Sequence, residues 1–165
     1  MYTKVTPKAV RSAGTYINIG GFLGDRVKAN LEQWQIPALQ SNLAMIQSFY
    51  DRDRSPRRDL LPWSGEFPGK HLTASVLCFR LLPDPRLKEQ IELLVDLLAD
   101  VQDEDGYIGP HPKSERMTGK TVWESENPLW DVWGHYHAIL GLLYWYDESG
   151  SKIAFDTAIK AADCV

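Results

Sequence analysis

The chain has 165 residues, with 18 Lys and Arg against 22 Asp and Glu, for a formal net charge of −4. This length fits one domain able to bury a core, and the acidic balance removes the electrostatic case for a nucleic-acid or anionic-membrane partner. A neutral substrate is the simpler expectation, and six Trp with seven Tyr supply rings that fill cores and also stack on sugar faces.

No run approaches the roughly 18 consecutive apolar residues of a membrane span. Residues 1–11 carry basic side chains with no apolar stretch behind them, so no secretory signal is expected and the cytoplasm is the expected location. Residues 1–24, containing TYINIGGFLG, are rich in Gly, Thr and β-branched side chains, which predicts an extended strand or loop ending in a turn. Asp25 is the expected N-cap of the first helix. Val27, Leu31 and Trp34 then recur at helical spacing up to Pro37, and Leu39, Leu43 and Ile46 continue the pattern to Tyr50. One kinked helix or two short ones fit.

Residues 51–62, DRDRSPRRDLLP, alternate acid with base and are broken by proline, which describes a solvated connection better than a basic patch. Over 69–82, Leu72, Val76, Phe79 and Leu82 share one helical face, and the PDP at 83–85 stops that helix. Pro85 opens the next, predicted to run to Gln102, with Leu87, Ile91, Leu94, Val95 and Leu98 on its apolar side. DEDGYIGP at 103–110 marks a turn, and the polar stretch on to Thr121 has no periodicity, so it is expected to form the wall of a cleft. A last helical pair is predicted over 128–147 and 152–165, about the ESGS turn. Cys78 and Cys164 lie in these apolar helical stretches without CxxC or metal-ligand spacing, and both are expected as buried free thiols.

The predicted fold is all-α. Two hairpins of similar build are the pattern of an α-solenoid or an α/α toroid. So few helices cannot close a toroid, and the sequence stops inside an amphipathic run with no C-cap glycine, so an incomplete domain is expected.

The densest group of chemically able residues is WESENPLWDVWGHYH, 123–137, with three Trp, three carboxylates and two His. In a helix starting near Leu129, Trp130, Trp133 and His137 share a face and His135 points elsewhere. His137 reads either as a core histidine bonded to a backbone carbonyl or, beside those rings, as a partner for a sugar hydroxyl. A second group is WSGEFPGKH, 63–71, whose glycines allow close approach of a backbone or ligand. Its Glu66 either complements a helix dipole or orients a substrate hydroxyl. Sugar cleavage commonly uses two carboxyl groups about 5 to 9.5 Å apart. Glu66, Asp131, Glu124 and Glu126 are available, and the sequence sets no pair among them. HExxH, GxSxG, GxGxxG and P-loop motifs do not occur, which weakens zinc-hydrolase, serine-hydrolase and nucleotide readings.

Taken in order, GGFLGDRVKAN, WSGEFPGKHL, PDPRLKEQIELLVDLLADVQDEDGYIG and LWDVWGHYHAILGLLYWYDESGSKIAFDTAIKAADCV resemble the amino-terminal part of the β-L-arabinofuranosidase family of glycoside hydrolases. The likeness spans most of the chain. The best register places the family's site histidine on His137; Tyr136 stands where the family usually has Gly, and Gly134-His135 offers a rival register that keeps His135 in play. The resemblance implies an (α/α)6 toroid with a central sugar pocket, and hydrolysis with retention by a cysteine nucleophile held on zinc by cysteines and a glutamate. Neither Cys78 nor Cys164 matches those positions. The nucleophile, the metal and the acid/base carboxylate are therefore expected outside this chain, which has no catalytic residue, metal ligand or cofactor of its own.

What the resemblance leaves to residues 1–165 is the amino-terminal part of a single toroid domain and one wall of the subsite for an arabinose-like sugar. His137, Trp130, Trp63, Glu66, Tyr107, His135 and Asp131 are its expected substrate-binding residues. The expected partners are a carbohydrate and the remainder of the toroid. Two other readings stay open: a non-catalytic helical carbohydrate-binding or scaffold module, and an unrelated toroid enzyme such as an unsaturated-uronide hydrolase, which would need carboxylates from these helices.

Overall fold

A computed structural model describes residues 17–56, 58–117 and 130–165. Among these residues there is no strand, and no helix is long and apolar enough to cross a membrane. Helix α1 spans Gly21–Asn30 with Gly20 as its cap, five residues earlier than expected, so Asp25 lies inside it and is not its cap. The cause is the Gly20-Gly21 pair. Gly20 is extended and Gly21 sits at φ +61, a left-handed conformation that costs glycine little, so the chain turns directly into helix and Phe22 to Gly24 are helical where an extended segment was expected.

After α1 the chain passes through a π-helical turn, Leu31–Gln35, then α2, Ala38–Ser41, and α3, Ala44–Tyr50. The break expected at Pro37, which lacks an N–H to donate, is present, and a second break at Asn42 and Leu43 divides the segment further. Leu31, Leu39 and Ile46 are buried as their spacing suggested, and so is Phe49, but Trp34 and Leu43 are 61% and 60% exposed. Buried Gln35 accepts a hydrogen bond from the Ser75 hydroxyl at 3.0 Å, which ties the π-helical turn to the next long helix.

Helix α4, Phe67–Leu81, starts two residues before the expected Gly69 because the short 3-10 turn Ser64–Glu66 leads straight into it, and it stops one residue short of Leu82. Helix α5, Pro85–Asp100, is capped by the Asp84 carboxylate, which accepts from Arg86 N at 2.8 Å. Pro85 occupies the first turn, where a missing N–H costs nothing. The helix ends at Asp100, two residues before Gln102. Helix α6, Asp131–Ser149, ends at Gly150 with φ +72, and α7, Lys152–Asp163, is capped by the Ser151 hydroxyl. Cys164 lies just past α7 and is only partly buried, unlike Cys78; both are free thiols.

Helices α4 and α5 form one hairpin and α6 and α7 another, with α4 packed on α6 and α5 on α7. The two hairpins run in the same sense. Glu66 at the start of α4 meets Trp133 at the start of α6, while Arg80 near the end of α4 bonds Glu148 and Asp147 near the end of α6, at 2.8 and 2.9 Å. Small residues set this spacing. A Cβ on Gly69 would stand 2.6 Å from His137 O and closer still to His137 C and Ala138 N, and one on Gly141 would stand 3.0 Å from Gly69 O. Leu72, Val76, Leu87, Leu98 and Leu142 fill the core around this seam with no exposure at all, each supplying about 1.5–3 kcal/mol of burial.

Candidate functional site

The first two turns of α6 and the chain entering α4 build an aromatic face. Trp130 N donates to Pro62 O at 3.1 Å, which brings the Trp63 and Trp130 rings to 5.8 Å between centroids at 57°. One turn on, Trp133 Nε1 donates to Glu66 Oε2, and the other Glu66 oxygen lies 2.6 Å from Lys70 Nζ. The Glu66–Lys70 pair was legible as i,i+4 spacing. Tyr136 stacks on Trp133 at 5.6 Å and 25°, and His137 meets the same indole edge-on at 4.6 Å and 90°. Trp63, Trp130, Trp133 and Tyr136 are all exposed, whereas Glu66 is only 7% exposed.

His137 Nε2 is buried and has no hydrogen-bond partner among the described residues. Burial lowers the pKa of His137 first, and the Lys70 ammonium adds to that effect against the opposing Glu66 carboxylate. Its imidazole is therefore neutral at pH 7 and able to donate or accept.

The other histidine, His135, is held by backbone groups on both ring nitrogens. His135 is wholly buried. Its Nε2 accepts from Ile108 N at 3.1 Å, so its proton sits on Nδ1, which faces Asp131 O at 2.9 Å. The Asp131 carboxylate accepts from the Tyr107 hydroxyl at 2.8 Å and from Met117 N at 3.0 Å. His111 N in turn donates to the Tyr107 oxygen at 3.3 Å. Burial, then the Asp131 charge, raises the Tyr107 pKa, so the phenol remains a donor. Arg116 lies 4.2 Å above the Tyr107 ring and binds Asp103 and Asp105 at 2.5 and 2.8 Å. Nothing in the sequence pattern singled out Arg116.

The seven residues expected at a site thus divide. His137, Trp130, Trp63 and Glu66 come together on the exposed face, with Trp133, Tyr136 and Lys70 added by the structure. Tyr107, Asp131 and His135 come together beneath it, in a buried polar knot that pins the 103–117 segment under the start of α6. In the described part of the stretch expected as a cleft wall, His111 and Arg116 are buried, as are Tyr107 and Ile108 before it, while Lys113, Ser114 and Glu115 are exposed. Both oxygens of Glu66 and of Asp131 are already engaged, in separate networks. Trp123, Glu124 and Glu126 lie outside the described residues. Among the described residues, no three His, Cys, Asp or Glu side chains gather to hold a metal ion.

Over residues 24–165 the sequence matches the family described as β-L-arabinofuranosidase, GH127 catalytic domain. Among solved structures, the GH127 β-arabinofuranosidase BT3674 is similar in fold with a TM-score of 0.70 and 23% identity, over 87% of this chain and 24% of that one. Ara127N-Se, a GH127 β-L-arabinofuranosidase from Geobacillus stearothermophilus T6, gives a TM-score of 0.63 and 20% identity, over 85% and 23%. The chain spans about a quarter of the length of these structures. None of the curated proteins is similar enough to match.

Proposed function

The chain belongs to the family of GH127 β-L-arabinofuranosidase catalytic domains, and from that premise we propose that residues 1–165 are the amino-terminal part of a single toroid domain that hydrolyses glycosides, forming one wall of its sugar pocket. The observation that carries this reading is the exposed Trp133–Tyr136 platform with the unpartnered His137 Nε2 beside it. Ring faces accept the C–H face of a sugar, and a neutral imidazole beside them serves a hydroxyl.

The wall carries no acid, base or nucleophile of its own in this reading, since Glu66 and Asp131 are consumed by Trp133, Lys70, Tyr107 and Met117. The cysteine nucleophile, the acid/base carboxylate and the zinc belong to the remainder of the complete domain, and the chain alone is inactive.

The test uses the complete protein and an aryl β-L-arabinofuranoside. His137→Ala is expected to raise KM about tenfold, the worth of one hydrogen bond, with the melting temperature unchanged. A large loss of stability with unaltered KM would return His137 to a structural role and remove the reading.

A further inference from the structure

Glu66 ends the 3-10 turn that leads into α4, between two close contacts with α6. A Cβ on Gly134 would stand 3.3 Å from Gly65 C and O, and one on Gly69 would meet the His137 backbone. The carboxylate is thereby lodged between the helices, buried, against the edge of an indole that is itself 43% exposed. One oxygen accepts from Trp133 Nε1 and the other pairs with Lys70 Nζ at 2.6 Å. The Lys70 ammonium lies 5.6 Å from the centroid of the Trp133 ring, within reach of a cation–π attraction. The three side chains therefore close a triangle: carboxylate on the ring's N–H, ammonium over its face, and an ion pair joining the two. A bond from Glu66 to a sugar hydroxyl, as the sequence suggested, would compete with both contacts.

An exposed indole that turns freely must be ordered when a ligand covers it, which weakens binding by roughly three- to tenfold. We infer that Glu66 is a positioning residue that acts through Trp133. Its bond to Nε1 and its pair with Lys70 hold the indole, before ligand arrives, in the orientation in which Tyr136 stacks on it and His137 meets it edge-on. This rests on the reading of the wall as a sugar surface, and it takes Glu66 out of the groups that touch the sugar. Because carboxylate and ammonium cancel, the clamp adds no net charge to the face, as a neutral glycoside requires.

The test measures KM and kcat of the complete protein on the aryl β-L-arabinofuranoside, with near-UV circular dichroism and melting temperature alongside. Glu66→Ala should raise KM roughly three- to tenfold with kcat nearly unchanged, and should weaken the near-UV tryptophan signal. Glu66→Met fills the same space without an acceptor and should act alike, which guards against an Ala variant that does not fold. Glu66→Gln keeps a carbonyl oxygen for the indole N–H and should stay within about twofold of wild type in KM. Adding Glu66→Ala or Glu66→Met to Trp133→Ala should change KM no further, because a residue that acts through the ring has nothing left to act on. An unchanged KM in Glu66→Met, or losses that add in the double variant as direct contact with the ligand would require, overturns the positioning role and leaves the wall standing. So does a Glu66→Gln protein as weak as Glu66→Met. An unaltered KM in Trp133→Ala removes the wall and the proposal with it.

Discussion

Replacing Gly69 by alanine tests the seam on which the two hairpins rest. An added Cβ would stand 2.6 Å from His137 O, with His137 C and Ala138 N nearer still, where carbon contacts settle at about 3.5 Å or more. All three atoms are backbone, so no rotamer change relieves them and the helices must part by roughly 1 Å. Overpacking of this kind costs about 3 kcal/mol at the upper end of its usual range, and the better helix propensity of alanine returns about 1 kcal/mol. The net loss is about 2 kcal/mol, or a drop of about 4–8 °C in melting temperature for a chain of this size. Gly20→Ala is the control, since nothing lies within 4 Å of a Cβ there. Thermal and urea unfolding of both variants read the difference. A Gly69→Ala protein within 0.5 kcal/mol of wild type, or no more destabilised than Gly20→Ala, would refute the close approach of α4 and α6.

Acidification should destabilise the protein through its buried imidazoles. Burial lowers the pKa of His135, despite the opposing Asp131 carbonyl and carboxylate, and of His71 and His137. The unfolded chain binds protons below about 6.5 where the folded one does not, so stability is full above that pH and falls below it, by at most about 1.4 kcal/mol per pH unit per group. Urea midpoints at pH 7.5 and 5.5 measure this, and His135→Asn should flatten part of the fall; identical pH slopes in the two proteins would show that His135 does not titrate this way. Asp131→Asn replaces one of the two acceptors of the Tyr107 hydroxyl and Met117 N–H with a donor, which should cost about 2–3 kcal/mol and speed amide exchange in 103–117. Unchanged exchange there would mean the segment is held by Arg116 and the core alone.

How far these features were legible depended on what each residue pattern encodes. The α5 start could be read because Asp84 and Pro85 combine a cap with a first-turn proline, two local signals that agree. The α1 start could not, because Gly20 and Gly21 look the same whether they end an extended segment or open a helix. In α6 the periodicity grouped Trp130, Trp133 and His137 correctly but did not say which face turns inward. That was decided by Gly134, Ala138 and Gly141, which let α4 approach and draw His135 and Trp145 into the core. The exposed aromatic face is what remained. Tyr107 and Asp131 were singled out without their partnership, because a contact between residues 24 apart leaves no trace in local spacing. The same holds for Arg116, whose role depends on three partners that only the tertiary fold assembles.

The glycine seam also makes the protein a fixed gauge. The aromatic platform hangs from α6 and Glu66 and Lys70 lie at the start of α4, and these helices meet backbone to backbone at Gly69, so the register between the rings and their charged neighbours is set by main-chain atoms. Exchanging Trp133 or Tyr136 for other residues would change the chemistry of that face, while its position against α4 would stay as it is.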